Sequence, residues 1–525
     1  MRLPACFCWL TFLLAPGLPG GHGRAAAPAP WPAQGWQVPL NNPLSQPDRT
    51  DNQQPETRNQ KPETALSPAC RRAYAEVLKF RLAPARQLLR AETGPDALLV
   101  ADCADFVELL VGQDAARYPA VAAAQEARLA ALDALPASAL RDYARAEIRL
   151  HLGAGQMVFN HEIVGGLNLR QAFHQMQAVV RRYPGFAPAR KTLGLCQFAV
   201  GALPDGYHWL LTLLGLSGDV DTGLRNLTLA ATQAHDFQTE SRIYLALIRE
   251  GYYKQPAEAL RLAQQLLVEQ PDNLLFSYLC VSLHKRQHHA DAALAAYRAR
   301  PTGPGYLPLA YLDHMVADLL LYQGEYAASE RRNLAFLAGY RGRHYRKDAA
   351  FKLYLAALLG GQPAALVARY RQQINEAGPT DIEEDNYAQH FYHDALPLNP
   401  VLTRARLQTD GGYCRAALAT LRPLRLPATA PLRDRIEEPY RRARAYQGLP
   451  RPDSAQLAFE RTLVVSGAAA PYYFAPQAAL ELGYYAKAAG QPAAARRYFE
   501  RCLRYPWHEY KNSTDAKANL ALRGL

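Results

Sequence analysis

Four stretches of this 525-residue chain carry side chains that could do chemistry at usable spacing. His284 and His288 stand four residues apart, with His289 and Asp291 beside them, which is helical spacing for two metal ligands. His390, His393 and Asp394 form a second group just after the acidic run Asp381-Ile382-Glu383-Glu384-Asp385. Neither group brings a third ligand onto the same face, so they read as a polar turn and a polar helix face, and no metal site is expected. Glu383 and Glu384 show no sign of burial, without which paired carboxylates do not become an acid and a base. Gly215-Leu216-Ser217-Gly218 fails as a nucleophile elbow, because its second glycine comes one residue early and no strand precedes it. Ser217 reads as a turn or cap residue. No glycine-rich phosphate loop follows a strand. The expectation is therefore no enzyme, no catalytic residue and no cofactor.

The elements that must position any site are helices. Ala, Leu, Arg, Tyr and Gln recur throughout and β-branched runs are scarce, a mixture with high helix propensity. Three segments repeat one another: PAEALRLAQQLL (256–267), ADAALAAYRARP (290–301) and EYAASERRNLAF (325–336). Their small anchors Ala259, Ala293 and Ala327 follow at a period of 34 residues, the length of the tetratricopeptide repeat, a pair of antiparallel helices. The chain resembles that family at further positions. Ala293 with Tyr297, Ala455 with Phe459, and Ala495 with Phe499 match its small–aromatic pair. Leu193-Gly194 and Leu482-Gly483 match its first-helix pair, as Ala443 with Tyr446 matches the second half of that helix. Pro184 and Pro271 each stand twelve residues after a small anchor, and Pro271-Asp272-Asn273 has the chemistry of a helix stop and restart. The implied fold is all-α, an α–α superhelix of roughly ten helical hairpins.

The resemblance also implies a groove lined by the first helix of each pair. Carried over position by position, its wall takes Tyr244, Tyr278 and Tyr440, then Arg444 and Tyr484, then Lys285 and Lys487, with Arg286 alongside. Such residues suit an extended peptide bearing carboxylates, although tyrosines at these positions equally suit packing between repeats. A second likeness is narrower. Gly215-Leu216-Ser217-Gly218-Asp219 followed by Gly223-Leu224, the stretch 146–173 and the C-terminal stretch from Ala478 resemble the inclusion-body clearance and tetratricopeptide repeat protein thirty-nine family. What they imply is structural. Two segments break the regular pattern, 208–230 and 360–400, the latter expected to hold a loop or altered connection at the acidic run.

Ahead of the repeats, Met1 to about Ala27 reads as a secretory signal: Arg2, then the short apolar run Cys6 to Leu14, then small residues. Residues 28–67 are rich in Pro, Asn, Gln and charge and read as a disordered linker. The helical array is expected over 68–525, with a capping helix from Tyr510 to Leu525. Export to the periplasm or cell envelope follows from this reading, since no later stretch is apolar enough to span a bilayer. Outside the leader, Cys70, Cys103, Cys196, Cys280, Cys414 and Cys502 are widely spaced and read as apolar fillers, a disulfide between distant repeats staying open. The formal net charge is +12. Its densest patches are Arg341, Arg343, Arg346 and Lys347, then Arg433, Arg435, Arg441, Arg442 and Arg444. Scattered arginine of this kind does not form a nucleic-acid stripe, so no nucleic-acid partner is expected. The function expected is a non-catalytic scaffold or adaptor binding a peptide or partner protein in the groove at the cell envelope. The alternative is peripheral binding of anionic lipid or polymer through the Arg-rich patches.

Overall fold

The computed structural model describes residues 66–202, 215–216, 218–252, 255–394, 397–467, 470–506, 508 and 510–525. The expected leader, the linker up to residue 65, residues 208–214 and Ser217 lie outside the described residues. Among those described there are twenty-four helices and no strand.

Eleven hairpins stack in chain order. They begin with α1 (Pro68–Leu78) and α2 (Leu82–Leu88), α3 (Pro95–Gly112) and α4 (Tyr118–Asp133), and α5 (Ala139–Val158) and α6 (Glu162–Arg182). There follow α7 (Ala187–Gly201) and α8 (Val220–Thr232), α9 (Gln238–Gly251) and α10 (Pro256–Glu269), and α11 (Leu274–Arg286) and α12 (Ala290–Ala299). Next are α13 (Ala310–Gln323) and α14 (Tyr326–Gly339), then α15 (Arg346–Leu359) and α16 (Ala364–Glu376). A lone helix, α17 (Glu383–His393), precedes α18 (Pro400–Asp410) and α19 (Cys414–Leu421), α20 (Leu432–Gln447) and α21 (Pro452–Ser466), and α22 (Phe474–Ala488) and α23 (Pro492–Arg504). Helix α24 (Lys511–Arg523) closes the array. The fold is the α–α superhelix of tetratricopeptide-type hairpins.

Local chemistry starts and stops these helices. Ser67, Ser138, Asp219, Asn273 and Asn399 each accept a hydrogen bond from a backbone N–H of the first turn they precede, satisfying donors that a helix start leaves open. Pro184 and Pro271 fall in the inter-repeat turns. The small–aromatic pairs lock each hairpin: Ala293, Ala455, Phe459, Ala495 and Phe499 are fully buried and Tyr297 nearly so. Gly194 lies so close to α8 that a Cβ there would stand 2.7 Å from the Gly223 carbonyl oxygen and the Leu227 nitrogen.

The third landmark of the period is a coincidence of spacing. Ala327 is exposed, and the small residue buried at that place is Ser329, whose hydroxyl donates to the Ala317 carbonyl at 2.7 Å. Two extra residues enter through the loop between α12 and α13. That loop has a use, because the Leu307 N–H donates to the Phe80 carbonyl at 2.7 Å. Tyr340 likewise donates to Gln113 at 2.9 Å, 227 residues away. Both contacts join residues 227 positions apart, so the superhelix returns onto its own start after between six and seven repeats. A second return contact joins the α11–α12 turn to the end of α18, where His288 Nδ1 meets the Asp410 carbonyl at 2.8 Å and the Ala290 N–H donates to Gly411.

Three further expectations are corrected. Leu66 and Ser67, assigned to the linker, belong to the body: Leu66 is buried and its N–H donates to Asp236 at 2.7 Å. The acidic run leads into the lone helix α17, so the altered connection expected there holds and the loop does not. Its Glu383, Glu384 and Asp385 sit in the first turn, where negative charge meets the positive end of the helix dipole. In the capping helix the buried stripe is Thr514, Ala518 and Ala521, and Lys511 and Asp515 pair at 3.0 Å, half-buried instead of facing water. The side chains of Ala516 and Leu520 lie outside the described residues.

Candidate functional site

The first helices of the hairpins face the superhelix axis, and their polar side chains gather there in three clusters. In the N-terminal turn, α1, α3, α5, α7, α9 and α11 converge on one cavity of about 50 Å³. Lys191 of α7 is only 2% exposed and donates to Glu147 Oε1 of α5 and Glu240 Oε2 of α9, each at 2.9 Å. Glu147 also accepts from the Thr192 hydroxyl at 2.6 Å. Glu240 accepts from Tyr74 at 2.7 Å and Tyr244 at 2.5 Å. Burial works against the Lys191 charge, but Glu147 and Glu240 overcome it and hold the ammonium well above its ordinary range. Burial also opposes ionisation of Glu240, and Lys191 with the two tyrosine donors overcomes that too, leaving its pKa lowered. At the rim, His151 Nδ1 lies 2.6 Å from Asp102, which Arg128 also approaches at 3.4 Å.

The second cluster spans α11, α13, α15 and α17. Lys285 donates to Asp318 at 2.6 Å, and Lys352 stands 3.5 Å from both Asp318 and Asp348. Buried His314 places Nε2 3.0 Å from Asp348 and Nδ1 2.8 Å from the Asn333 carbonyl oxygen. Asp385 accepts from the Tyr345 and Asp348 backbone N–H groups at 2.7 and 2.9 Å, capping α15 from α17. Burial pushes Glu384 and Asp385 up to about 7, with the Asp348 charge adding to it. The donor atoms of His314, Asp318 and Asp348 lie within 4.8 Å of one another and could hold a divalent cation. Lys285 and Lys352 already supply positive charge to those carboxylates, so the cluster is compensated by protein cations. The sequence carried a signal for it: His314 and Asp318 have the i,i+4 spacing, and Asp348 follows His314 by one 34-residue period.

The third cluster lies on the concave wall of the C-terminal hairpins, formed by α17, α18, α20 and α22. Arg441, buried, donates from two nitrogens to Glu437 Oε1 at 2.7 and 2.8 Å and to the Tyr473 hydroxyl at 2.9 Å. Arg406 donates to the Tyr387 hydroxyl at 3.1 Å, its Nε has no hydrogen-bond partner, and it forms no ion pair among the described residues. Asp410, one turn on, lies within electrostatic reach of Arg406, Arg441 and Arg444. Arg444 stands 3.6 Å from Glu481 with about a third of its side chain exposed.

These clusters redraw the expected groove. Tyr244, Tyr278 and Tyr440 are buried. They pack between first helices, Tyr440 against Phe459, Tyr473 and Phe474, and offer no wall to a peptide. Lys285 is spent on Asp318, and Arg286 on Glu250 at 2.8 Å. Arg444, Tyr484 and Lys487 are the most exposed of the set, Tyr484 being 39% exposed and Lys487 donating to the Gly524 carbonyl at 3.0 Å. The N-terminal turn closes its own groove, which is why its first-helix polar residues pair with one another. The histidine groups do not assemble a metal site: His288 and His289 lie in a turn as expected, and His390 and His393 are exposed on α17. The six cysteines of the body are free, and five are buried. The basic patches are engaged as well. Arg343 pairs with Asp381 at 2.7 Å, Lys347 is buried on the Ile374 and Asn375 carbonyls, and Arg442 pairs with Glu438.

No protein-family model matches the chain, and no curated protein matches it. Among solved structures, a monomeric mutant of IFIT1 with m7Gppp-AAAA aligns at 15% identity over 82% of this chain and 79% of that one, with a TM-score of 0.28. The human IFIT1 dimer with m7Gppp-AAAA aligns at 13% identity over 84% and 96%, with a TM-score of 0.31. At these scores the paths of the chains diverge, and the fold stands on this chain's own hairpins.

Proposed function

We propose that the chain is a non-catalytic scaffold that holds a segment of a partner protein against the concave wall of α17, α18, α20 and α22. The observation that carries this reading is polar capacity left unspent there. Among the described residues Arg406 forms no ion pair and its buried Nε has no hydrogen-bond partner, and Asp410 one turn later forms no hydrogen bond through its side chain. In the other two axial clusters Lys191, Lys285 and Lys352 each have carboxylate partners. Beside Arg406 and Asp410, Arg444, Tyr484 and Lys487 remain at the surface. Guanidinium, carboxylate and phenol groups on a rigid wall suit an extended backbone, whose N–H and C=O groups need donors and acceptors in alternation. The leader-like start of the sequence supports a setting at the cell envelope. Two of the glycines behind the likeness to the thirty-nine family, Gly218 and Gly223, serve close packing against α7, so that likeness informs the fold and names no partner. The basic-surface alternative is disfavoured by the internal partners of Arg343, Lys347, Arg441 and Arg442.

The test is fluorescence polarisation of the full chain against a library of acidic and neutral peptides, at low and high salt. The comparison is a triple variant Arg406→Gln, Arg444→Gln, Tyr484→Ala with unchanged circular dichroism. Saturable binding that survives high salt and weakens at least about tenfold in the variant supports the scaffold. No peptide binding, or retention only on anionic vesicles at low salt, overturns it.

A further inference from the structure

The axial cavity of the N-terminal turn has a use that the scaffold reading does not cover. Its carboxylates are saturated: Glu147 takes Lys191 and Thr192, and Glu240 takes Lys191, Tyr74 and Tyr244. One hydroxyl is not. Tyr143, fully buried at the cavity wall, stands beside the Lys191 ammonium but has no acceptor for its own hydroxyl proton, although buried polar groups are nearly always paired. Its ring is fixed between Phe186 and Phe237 at 5.5 and 5.6 Å, so the hydroxyl cannot swing away to find one. Lys191 has three N–H donors and spends two on the glutamates. The remainder of the lining is apolar, with Val77, Phe80, Leu99, Phe106, Ile243 and Leu275 among it.

We infer that this cavity is a binding site for a small uncharged molecule that carries one acceptor oxygen on a short apolar body, the class of a low alcohol or ketone. The oxygen accepts from the Tyr143 hydroxyl beside the Lys191 ammonium, and the body lies on the aliphatic and aromatic wall. Charge excludes the alternatives. An anion would face Glu147 and Glu240, and a cation would be repelled by the Lys191 ammonium that already bridges both carboxylates, with no acceptor left open to receive it. Size sets the upper bound: one water takes roughly 10–15 Å³ of such space, so a cavity of about 50 Å³ holds about four non-hydrogen atoms. Lys191 stays an ammonium and acts as a donor only, so no covalent step is involved.

Four probes of equal heavy-atom number separate the possibilities: acetone, acetate, isopropylammonium and isobutane, each titrated into the full-length chain while methyl resonances of Leu99 and Ile243 are followed by NMR. Saturable shifts with acetone alone are expected, with affinity reduced at least about tenfold in Tyr143→Phe, which keeps the ring in place. Should that variant fail to fold, the ranking of the four probes on the wild-type chain decides alone. The inference is overturned if no probe saturates (the cavity then holds water only), if acetate, isopropylammonium or isobutane binds as well as acetone, or if folded Tyr143→Phe keeps full affinity. None of these results bears on peptide binding at the C-terminal wall.

Discussion

Replacing Lys191 by Met removes one charge from the axis while keeping most of the apolar stem, and its consequence can be worked from the geometry. The ammonium is 2% exposed and is the hydrogen-bonded counter-ion of two carboxylates at 2.9 Å. Without it, Glu240 keeps two tyrosine donors and Glu147 keeps Thr192, but both remain buried without a bonded cation. Breaking a buried pair from one side costs about 3–5 kcal/mol, and the two retained tyrosine bonds argue for the lower half of that range. The triple variant Lys191→Met, Glu147→Gln, Glu240→Gln removes the charges together and should recover most of the loss, because a neutral amide can still accept from the hydroxyls. Urea unfolding followed by circular dichroism measures both. The acid side supplies a sign check. Glu240 has a folded pKa below its unfolded value, so its contribution is present above the unfolded pKa and is lost as pH falls through the folded one. The wild type should therefore lose stability on acidification below about pH 4.5 by more than the triple variant does. A Lys191→Met variant within about 1 kcal/mol of wild type, or a triple variant no better than the single, refutes the reasoning.

Three other outcomes are expected. Gly194→Ala should destabilise by about 1–3 kcal/mol, because the new Cβ would meet backbone atoms at 2.7 Å. Gly166→Ala, with nothing within 4 Å, should stabilise by about 0.5–1 kcal/mol; equal urea midpoints for the two would refute the close-packing account. Glu384 and Asp385 have folded pKa values raised to about 7, so their contribution is full below the unfolded carboxylate range and is lost as pH rises through 7. Scanning calorimetry should show the melting temperature falling from pH 5 to pH 8, with a shallower slope in Glu384→Gln, Asp385→Asn, and an unchanged slope in that variant counts against the assignment. Finally, Lys285 and Lys352 already compensate Asp318 and Asp348, so added Zn²⁺ or Mn²⁺, or EDTA, should leave the melting curve unmoved. A metal-dependent rise that disappears in His314→Gln would show that a cation displaces Lys352.

The hairpin architecture was legible because small–large pairs at fixed spacing have one geometric meaning: Ala455 with Phe459 and Ala495 with Phe499 let two helices approach and fill the gap between them. Even there one landmark misled. Ala327 kept the period while the buried position moved to Ser329, since two residues inserted in a loop shift a register without disturbing composition. The site was far less legible. Tyr244 and Tyr278 occupy groove positions in a single repeat, yet whether those positions are wall or core depends on what arrives across the axis, which a period within the chain does not encode. The return of the chain after 227 residues is written in two hydrogen bonds, Leu307 to Phe80 and Tyr340 to Gln113, between residues of no distinctive type. Lys191, Glu147 and Glu240 carry no sequence signal for the same reason: they sit on three different hairpins.

Closure and openness then follow from one rule. A first helix in a superhelix turns its polar residues toward the axis, where they either meet each other or stay free for a ligand. Where α1 crosses α9, the meeting happens: Tyr74 reaches Glu240 across 166 residues, Arg71 reaches Asp236, and Lys79 reaches Asp272 at 2.6 Å. The interior there shrinks to a cavity for a few atoms, and the lysine that would otherwise face a peptide becomes a buried counter-ion. Along α18 and α20, among the described residues, no later hairpin crosses the axis, so Arg406 and Asp410 keep their capacity while Glu437 and Arg441 satisfy each other within one helix. A chain built from one kind of hairpin thereby presents two axial regions of different scale. One is a cavity of about 50 Å³, the site proposed for a small neutral molecule. The other is charged in both signs and is the wall proposed for a stretch of polypeptide. The difference between them lies in which helices happen to face each other after one turn.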